Sequence, residues 1–218
     1  MRIAIIGGTG EEGFGLGLRL ARAEFPVTIG SRDPARAQVS ATQANELLGT
    51  NAVQGMGNAA AARWGEVVII SVPYSAHVAT LQGLAQELAG KLVLDVVVPL
   101  DPNNPRRLLP PAAGSAAEEA RAVLGPTARI VAGFQNISAH ALRKLDTPVE
   151  SEVFLSSDDQ EAKAVVMDLA QRAGFTAWDV GELESARLVE PLTPLMISLN
   201  IRYKSRRGGL RVTGIKRG

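Results

Sequence analysis

The sequence predicts an α/β protein: a Rossmann-type doubly wound parallel sheet with a small C-terminal α/β part. Short apolar runs alternate with amphipathic stretches along the chain. The first apolar run empties directly into a glycine-rich turn, and two later β-branched runs, 67–72 and 92–98, each stop at a proline.

Residues 2–6 read as a short buried strand, and 10–24 as a helix with Leu16, Leu20 and Ala23 on one stripe. A second strand is expected at 27–30. A second helix follows at 33–48, with Pro34 just inside its start, where a missing N–H costs nothing. Residues 53–55 suggest a third strand and 59–63 a short helix. The strand at 67–72 ends at Pro73, 75–88 reads as a helix, and the strand at 92–98 ends at Pro99. Residues 101–115, rich in Pro, Asn, Arg and Ala, read as a surface excursion. Beyond it come a helix at 116–124, strands at 128–132 and 152–155, a helix at 160–172 and a strand at 175–180. A terminal helix at 183–200 is interrupted by Pro191 and Pro194.

The 218 residues suit one large domain, or one with a small addition. Apolar residues make up 46%, enough for a core, and the 21% charged residues nearly cancel to a net +1. That balance carries no signature of nucleic acid or membrane surface, and neither partner is expected. The absence of cysteine excludes disulfides, thiolate catalysis and Cys-ligated metals. Two histidines do not supply a multi-histidine site, so no metal is expected. The opening apolar stretch, 3–6, is too short for a signal segment, and no window reaches the length of a membrane span; a cytoplasmic protein is expected.

Gly8-Thr9-Gly10-Glu11-Glu12-Gly13 matches G-x-G-x-x-G, immediately after the first strand and opening a helix, which is the context that gives the motif meaning. Gly8 is expected to permit the tight turn. Gly10 removes a side chain where backbone approaches a pyrophosphate, and Gly13 lets helix and strand pack closely. The helix N-terminus offers N–H groups and a positive dipole end to the phosphates; Thr9 adds a hydroxyl and Glu12 belongs to the same binding turn. The second strand ends in Gly30-Ser31-Arg32 rather than in the acid that accepts a ribose 2′-hydroxyl. Ser31, Arg32 and Arg36 are expected to hold a 2′-phosphate, with the two arginines sharing a helical face at i and i+4, so NADP(H) is the expected dinucleotide. Asp33 is the nearest acid and can serve as a helix cap.

Three segments in order carry a resemblance: Ile5-Ile6-Gly7-Gly8-Thr9-Gly10, Gly30-Ser31-Arg32, and Ser71-Val72-Pro73-Tyr74 with His77. A fourth, running from Ser185-Ala186-Arg187 through Glu190-Pro191-Leu192-Thr193-Pro194-Leu195, is more particular. Together the chain resembles the NADPH-dependent coenzyme F420 reductases over nearly its whole length. The resemblance implies hydride exchange between NADP(H) and the deazaflavin ring of F420. The hydride passes directly between cofactors, so no catalytic side chain is named; the need is alignment, with reacting carbons about 3–3.5 Å apart. It also implies an NADP-binding domain at 1–136, a smaller part at 137–218 completing the deazaflavin cleft, and a homodimer through the C-terminal helices. Ser71, Val72, Pro73, Val98, Gln135 and Ile137 would line the rings. Gln135 stands where the resemblance leads one to expect a histidine; it can donate to a ring carbonyl but carries no charge.

Other residues stay open. His77 fits either the nicotinamide pocket or a capping or packed histidine. Asp95, inside an apolar run, is expected near a strand end or hydrogen-bonded, holding a loop. Glu190 can orient Arg187 or a ring nitrogen, or form a structural ion pair. Leu192, Leu195, Met196 and Leu199 have the spacing of a core or dimer stripe. The basic run Arg202, Lys204, Arg206, Arg207, Arg211, Lys216 and Arg217 is either a solvated surface or a seat for the phosphate and glutamates of the F420 tail. The rival readings are an NADPH-dependent flavin or ferric reductase, and a non-catalytic NADPH-binding sensor.

Overall fold

The computed structural model describes residues 1–215; Lys216 and Arg217 of the basic run lie outside the described residues. The chain runs β1 (Ile3–Ile6), α1 (Glu11–Arg22), β2 (Val27–Ser31), α2 (Pro34–Leu48), β3 (Val53–Gly57), α3 (Asn58–Trp64) and β4 (Val67–Ile70). It continues through α4 (His77–Gly83), α5 (Ala85–Leu88), β5 (Leu92–Asp95), β6 (Leu100–Asp101), β7 (Asn104–Leu108), α6 (Ala116–Leu124), β8 (Arg129–Ala132) and α7 (Ala139–Arg143). The last elements are β9 (Val153–Leu155), α8 (Gln160–Arg172), β10 (Ala177–Asp179), α9 (Ala186–Val189) and α10 (Leu192–Arg202).

Six strands form one parallel sheet in the order β3-β2-β1-β4-β5-β8. β1, β4 and β5 are buried throughout, which is why they read as unbroken apolar runs instead of alternating ones. One apolar cluster covers the face carrying α1, α2 and α8, and a second covers the face carrying α3, α4 and α6. The chain builds β1, β2 and β3 outward in one direction, then returns to lay β4 on the other side of β1. That reversal opens a crevice at the carboxyl ends of β1 and β4. β9 and β10 form a separate parallel pair, tied to the main sheet by a bridge between Ala132 and Ser156.

Several boundaries differ from expectation for local reasons. β4 stops at Ile70, and β5 stops at Asp95 rather than 98, because the Asp95 carboxylate takes the Val97 N–H (3.0 Å) that a neighbouring strand would otherwise receive. The expected helix at 75–88 starts as a 3-10 turn, Tyr74–Ala76, and breaks at Leu84, whose buried side chain turns inward. The excursion at 101–115 contains the antiparallel hairpin β6–β7. The expected terminal helix starts as a 3-10 turn, Leu183–Ser185, and is interrupted at the Glu190–Pro191 step; Pro194 lies in the first turn of α10, where no intrahelical donor is needed. The short α7 had no sequence signal. Its last carbonyls are gathered by Arg19 of α1, which donates to Leu142 (2.9 Å) and Ala141 (3.0 Å) and, past the helix, to Thr147 (3.0 Å). This buried arginine pins the segment after β8 onto α1 and so fixes one wall of the site.

Candidate functional site: a glycine turn opening into an apolar cleft

The turn after β1 is built by close approach. Gly7, not Gly8, holds the left-handed conformation (φ +80°), and a Cβ there would lie 2.5 Å from the Ser71 carbonyl oxygen. Gly8 must lack a side chain for another reason: a Cβ would lie 2.9 Å from the Ile5 carbonyl oxygen. Gly13 fits as expected, since a Cβ would come within 2.9 Å of the Gly8 Cα. A Cβ on Gly10 would meet nothing closer than 3.4 Å, so packing leaves the space above it for a ligand. Gly10 starts α1 without any side-chain cap, so the first N–H groups of the helix face outward. That is the shape and polarity a diphosphate requires.

The sheet places both flanks of the turn. The N–H groups of Gly7 and Gly8 donate to the Gly30 carbonyl (3.2 and 3.1 Å), which brings the end of β2 alongside, with Thr9 half-buried between. Ser31 is buried there; Arg32 and Arg36 are exposed. Arg32 precedes α2, whose cap is Asp33 accepting from the Ala35 N–H (2.9 Å). The two arginines therefore do not share a helical face: one leaves the strand end, the other rises from the first turn. Asn58, at the start of α3, has a buried side-chain oxygen without a partner beside Gly30, a polar group that sequence reasoning missed.

On the other flank lies a cleft of about 980 Å³. Ser71, Val72, Pro73, Val98, Gln135 and Ile137 all line it, as do Gly10 and Glu12. Tyr74, Val97 and Thr193 join them. Among the described residues no Lys, Arg or His lines it, and its walls are mainly apolar. Phe134 holds the left-handed conformation (φ +70°) while fully buried edge-on against Phe175 (5.3 Å between ring centres). This strained step turns Gln135 toward the cleft. The Gln135 amide nitrogen donates to the Asp95 carbonyl (3.2 Å), its main-chain carbonyl accepts from the Thr193 hydroxyl (2.7 Å), and its side-chain oxygen has no partner. A buried acceptor left open at a cleft wall fits a ligand N–H.

His77 is a correction. It is 0% exposed and does not reach the cleft. Its Nε2 donates to Asp95 Oδ2 (2.8 Å), and its Nδ1 lies 3.4 Å from Glu119 Oε2, while the Tyr74 hydroxyl donates to Glu119 Oε1 (3.2 Å). Burial opposes a charge on the imidazole, but the two carboxylates outweigh it and raise its pKa. Tyr74 is pushed up to about 12 by desolvation and by Glu119. Asp95 behaves as expected, holding the 96–98 segment. Glu190 pairs with no cation among the described residues: it accepts from the Ala116 and Ala117 N–H groups (3.1 and 3.4 Å) and so caps α6, while Arg187 pairs with Glu118 (2.6 Å) and Glu184 (3.0 Å). Burial lifts Glu190 to about 8 and Glu12 to about 8.

Glu12, Glu190 and His77 work in one direction. A group whose folded pKa exceeds its unfolded value stabilises below the unfolded pKa and loses that contribution as pH rises through the folded one. For Glu12 and Glu190 the window runs from the ordinary carboxylate value of 4.5 to about 8, and His77 adds a loss above 6.5. Thermal unfolding is therefore expected at a higher temperature near pH 5 than near pH 8, by roughly several degrees. A Tm that rises over this interval would contradict the assignment.

A second hollow, of about 750 Å³, shares Glu11 and Ile197 with the cleft and gathers His140, Arg143, Lys144 and Arg206. Arg202, Lys204 and Arg211 are exposed elsewhere, and Arg207 donates to Thr147 (3.4 Å). On α10, Met196 is buried, Leu192 half-buried, and Leu195 and Leu199 exposed. Among the described residues no helix is long and apolar enough to cross a membrane.

Residues 2–99 match the family described as NADP oxidoreductase, coenzyme F420-dependent. The F420-dependent NADP reductase of Methanocaldococcus jannaschii is 43% identical over 224 residues, covering 99% of this chain and 100% of the relative. The metalloreductase STEAP3 of Rattus norvegicus is 33% identical over 186 residues; 85% of this chain spans 35% of that protein. A crystal structure of a putative F420-dependent NADP-reductase from Arthrobacter sp. FB24 superposes with a TM-score of 0.83 at 27% identity, covering 98% and 99% of the two chains. The chain belongs to the family of coenzyme F420-dependent NADP oxidoreductases.

Proposed function

We propose that this enzyme transfers a hydride between NADP(H) and coenzyme F420, with residues 1–136 carrying the dinucleotide and 137–218 completing the cleft for the deazaflavin. The carrying observation is the continuity of the glycine turn with a deep apolar cleft at the sheet's reversal point. The diphosphate lies over the uncapped start of α1, with Gly8, Thr9, Gly10 and Gly13 beneath it; Ser31, Arg32 and Arg36 take the 2′-phosphate. Ser71, Val72, Pro73, Val98, Gln135 and Ile137 surround the two rings. Their task is to exclude water and hold the rings face to face, since the cofactors supply the hydride chemistry. The phosphate and glutamates of the F420 tail run toward Arg143, Lys144 and Arg206. A second copy of the chain covers Leu195 and Leu199 on α10 to form a homodimer, and the protein works in the cytoplasm.

Mixing enzyme, NADPH and F420 should bleach the deazaflavin absorbance as the ring is reduced. Reduction of FMN or a ferric chelate without F420 turnover would favour the flavin or ferric reductase reading. Tight NADPH binding with no acceptor reduced would mean a sensor.

A further inference from the structure

Glu12 stands at the second position of α1, where the glycine turn meets the cleft. Its Oε1 is buried without a hydrogen-bond partner. The charged or titratable side chains sharing the cleft with it are Glu11 of its own helix, Tyr74 after β4 and Asp101 of β6. The segment after β5, the loop before α7 and α10 contribute none. Among the described residues no cationic side chain lines the cleft to balance a carboxylate here, and an arriving diphosphate would add negative charge a short distance away. An ionised Glu12 would repel the ligand that the helix start is shaped to receive. A neutral carboxylic acid would not, and it would bring a hydroxyl donor to a site rich in phosphate oxygens.

We propose that Glu12 works as a neutral carboxylic acid that donates a hydrogen bond to the bound dinucleotide, so that NADP(H) binds the protonated enzyme and its affinity is set by the state of this one side chain. The inference rests on the dinucleotide occupying the glycine turn. Burial already lifts the group to about 8 in the free protein, and a neighbouring phosphate can only lift it further.

Two measurements test it on the intact enzyme. The first is NADPH affinity by fluorescence titration against pH. Wild type is expected to weaken about tenfold between roughly pH 6.5 and pH 9, whereas E12Q, which keeps a donor but cannot ionise, stays within about twofold. The second needs no variant. Calorimetric titration of wild type with NADPH at about pH 8.5, in buffers of different ionisation enthalpy, should show uptake of between half a proton and one proton per site. The 2′-phosphate, with its second pKa near about 6, is already fully ionised there. Glu190 also titrates near 8 but remains in E12Q, so an equal fall in affinity in both proteins, or no proton uptake in wild type, overturns the role of Glu12. Tight binding at every pH overturns it too while leaving the dinucleotide site intact. Absence of NADPH binding at any pH overturns both.

Discussion

A double variant, R32A/R36A, is expected to lose about 100- to 1,000-fold in NADPH affinity, about 2.7–4 kcal/mol, while NADH affinity changes by less than about threefold. The physical ground is what surrounds these arginines. The Gly30 carbonyl holds the glycine turn against the end of β2, which sets Ser31 and the exposed Arg32 and Arg36 on the flank of the turn. The one acid close by, Asp33, is spent capping α2 on the Ala35 N–H, and so offers its carboxylate to the backbone rather than to a ribose hydroxyl. No partner engages either guanidinium among the described residues. Two cations held at the start of a helix, against the sense of its dipole, are relieved when a dianion arrives. Because the contact is ionic, NADPH binding by wild type should weaken with added salt, and the variant should lose most of that dependence. An equal loss for NADH would show instead that the substitutions damaged the turn, and an unchanged NADPH affinity would remove the arginines from the site.

Much of the fold and of the glycine turn is legible in the sequence, and what is not legible has a common cause. The glycine turn, the strand end at Ser31 and the wall at Ser71–Pro73 are local in sequence, each set by a few adjacent residues whose steric needs are visible in their types. What escaped depends on partners distant along the chain. The left-handed residue is Gly7 because the Ser71 carbonyl, just past the end of β4, lies where its Cβ would be. α7 has too few residues to show periodicity and exists because Arg19 collects its carbonyls from α1. β5 ends at Asp95 because a side chain replaces a ladder bond, although the β-branched run goes on. Arg32 and Arg36 were paired for the wrong reason: helical spacing applies only inside a helix, and Asp33 puts the boundary between them. His77 shows the limit most clearly. The sequence placed it correctly after the β4 turn and left two roles open, yet only packing decides that α6 brings Glu119 against one ring nitrogen and β5 brings Asp95 against the other.

That packing makes His77 the residue whose loss should hurt stability most. H77A is expected to destabilise the protein by about 3–5 kcal/mol near neutral pH, read as a lower denaturant midpoint at unchanged slope. Removing the imidazole leaves a cavity and, more seriously, takes away from Asp95, which is 0% exposed, the one cation that pairs with it among the described residues. Asp95 keeps the Val97 N–H, which is too little to stabilise a buried negative charge alone. The deficit should shrink as pH rises through the raised pKa of His77, because the wild-type imidazole then gives up the charge that the two carboxylates hold. A deficit independent of pH would mean that the cavity matters and the charge does not. The same substitution should reach the cleft without touching a ligand. Val97 and Gln135 both hang on Asp95, and Tyr74 hangs on Glu119. A weaker Asp95 loosens three positions of the ring-binding wall at once, so kcat should fall through poorer ring alignment while NADPH affinity, set on the far side of the turn, stays nearly constant. H77Q, which can still donate to Asp95, should recover part of the stability but none of the charge balance, and so separate hydrogen bonding from ionisation within one buried group.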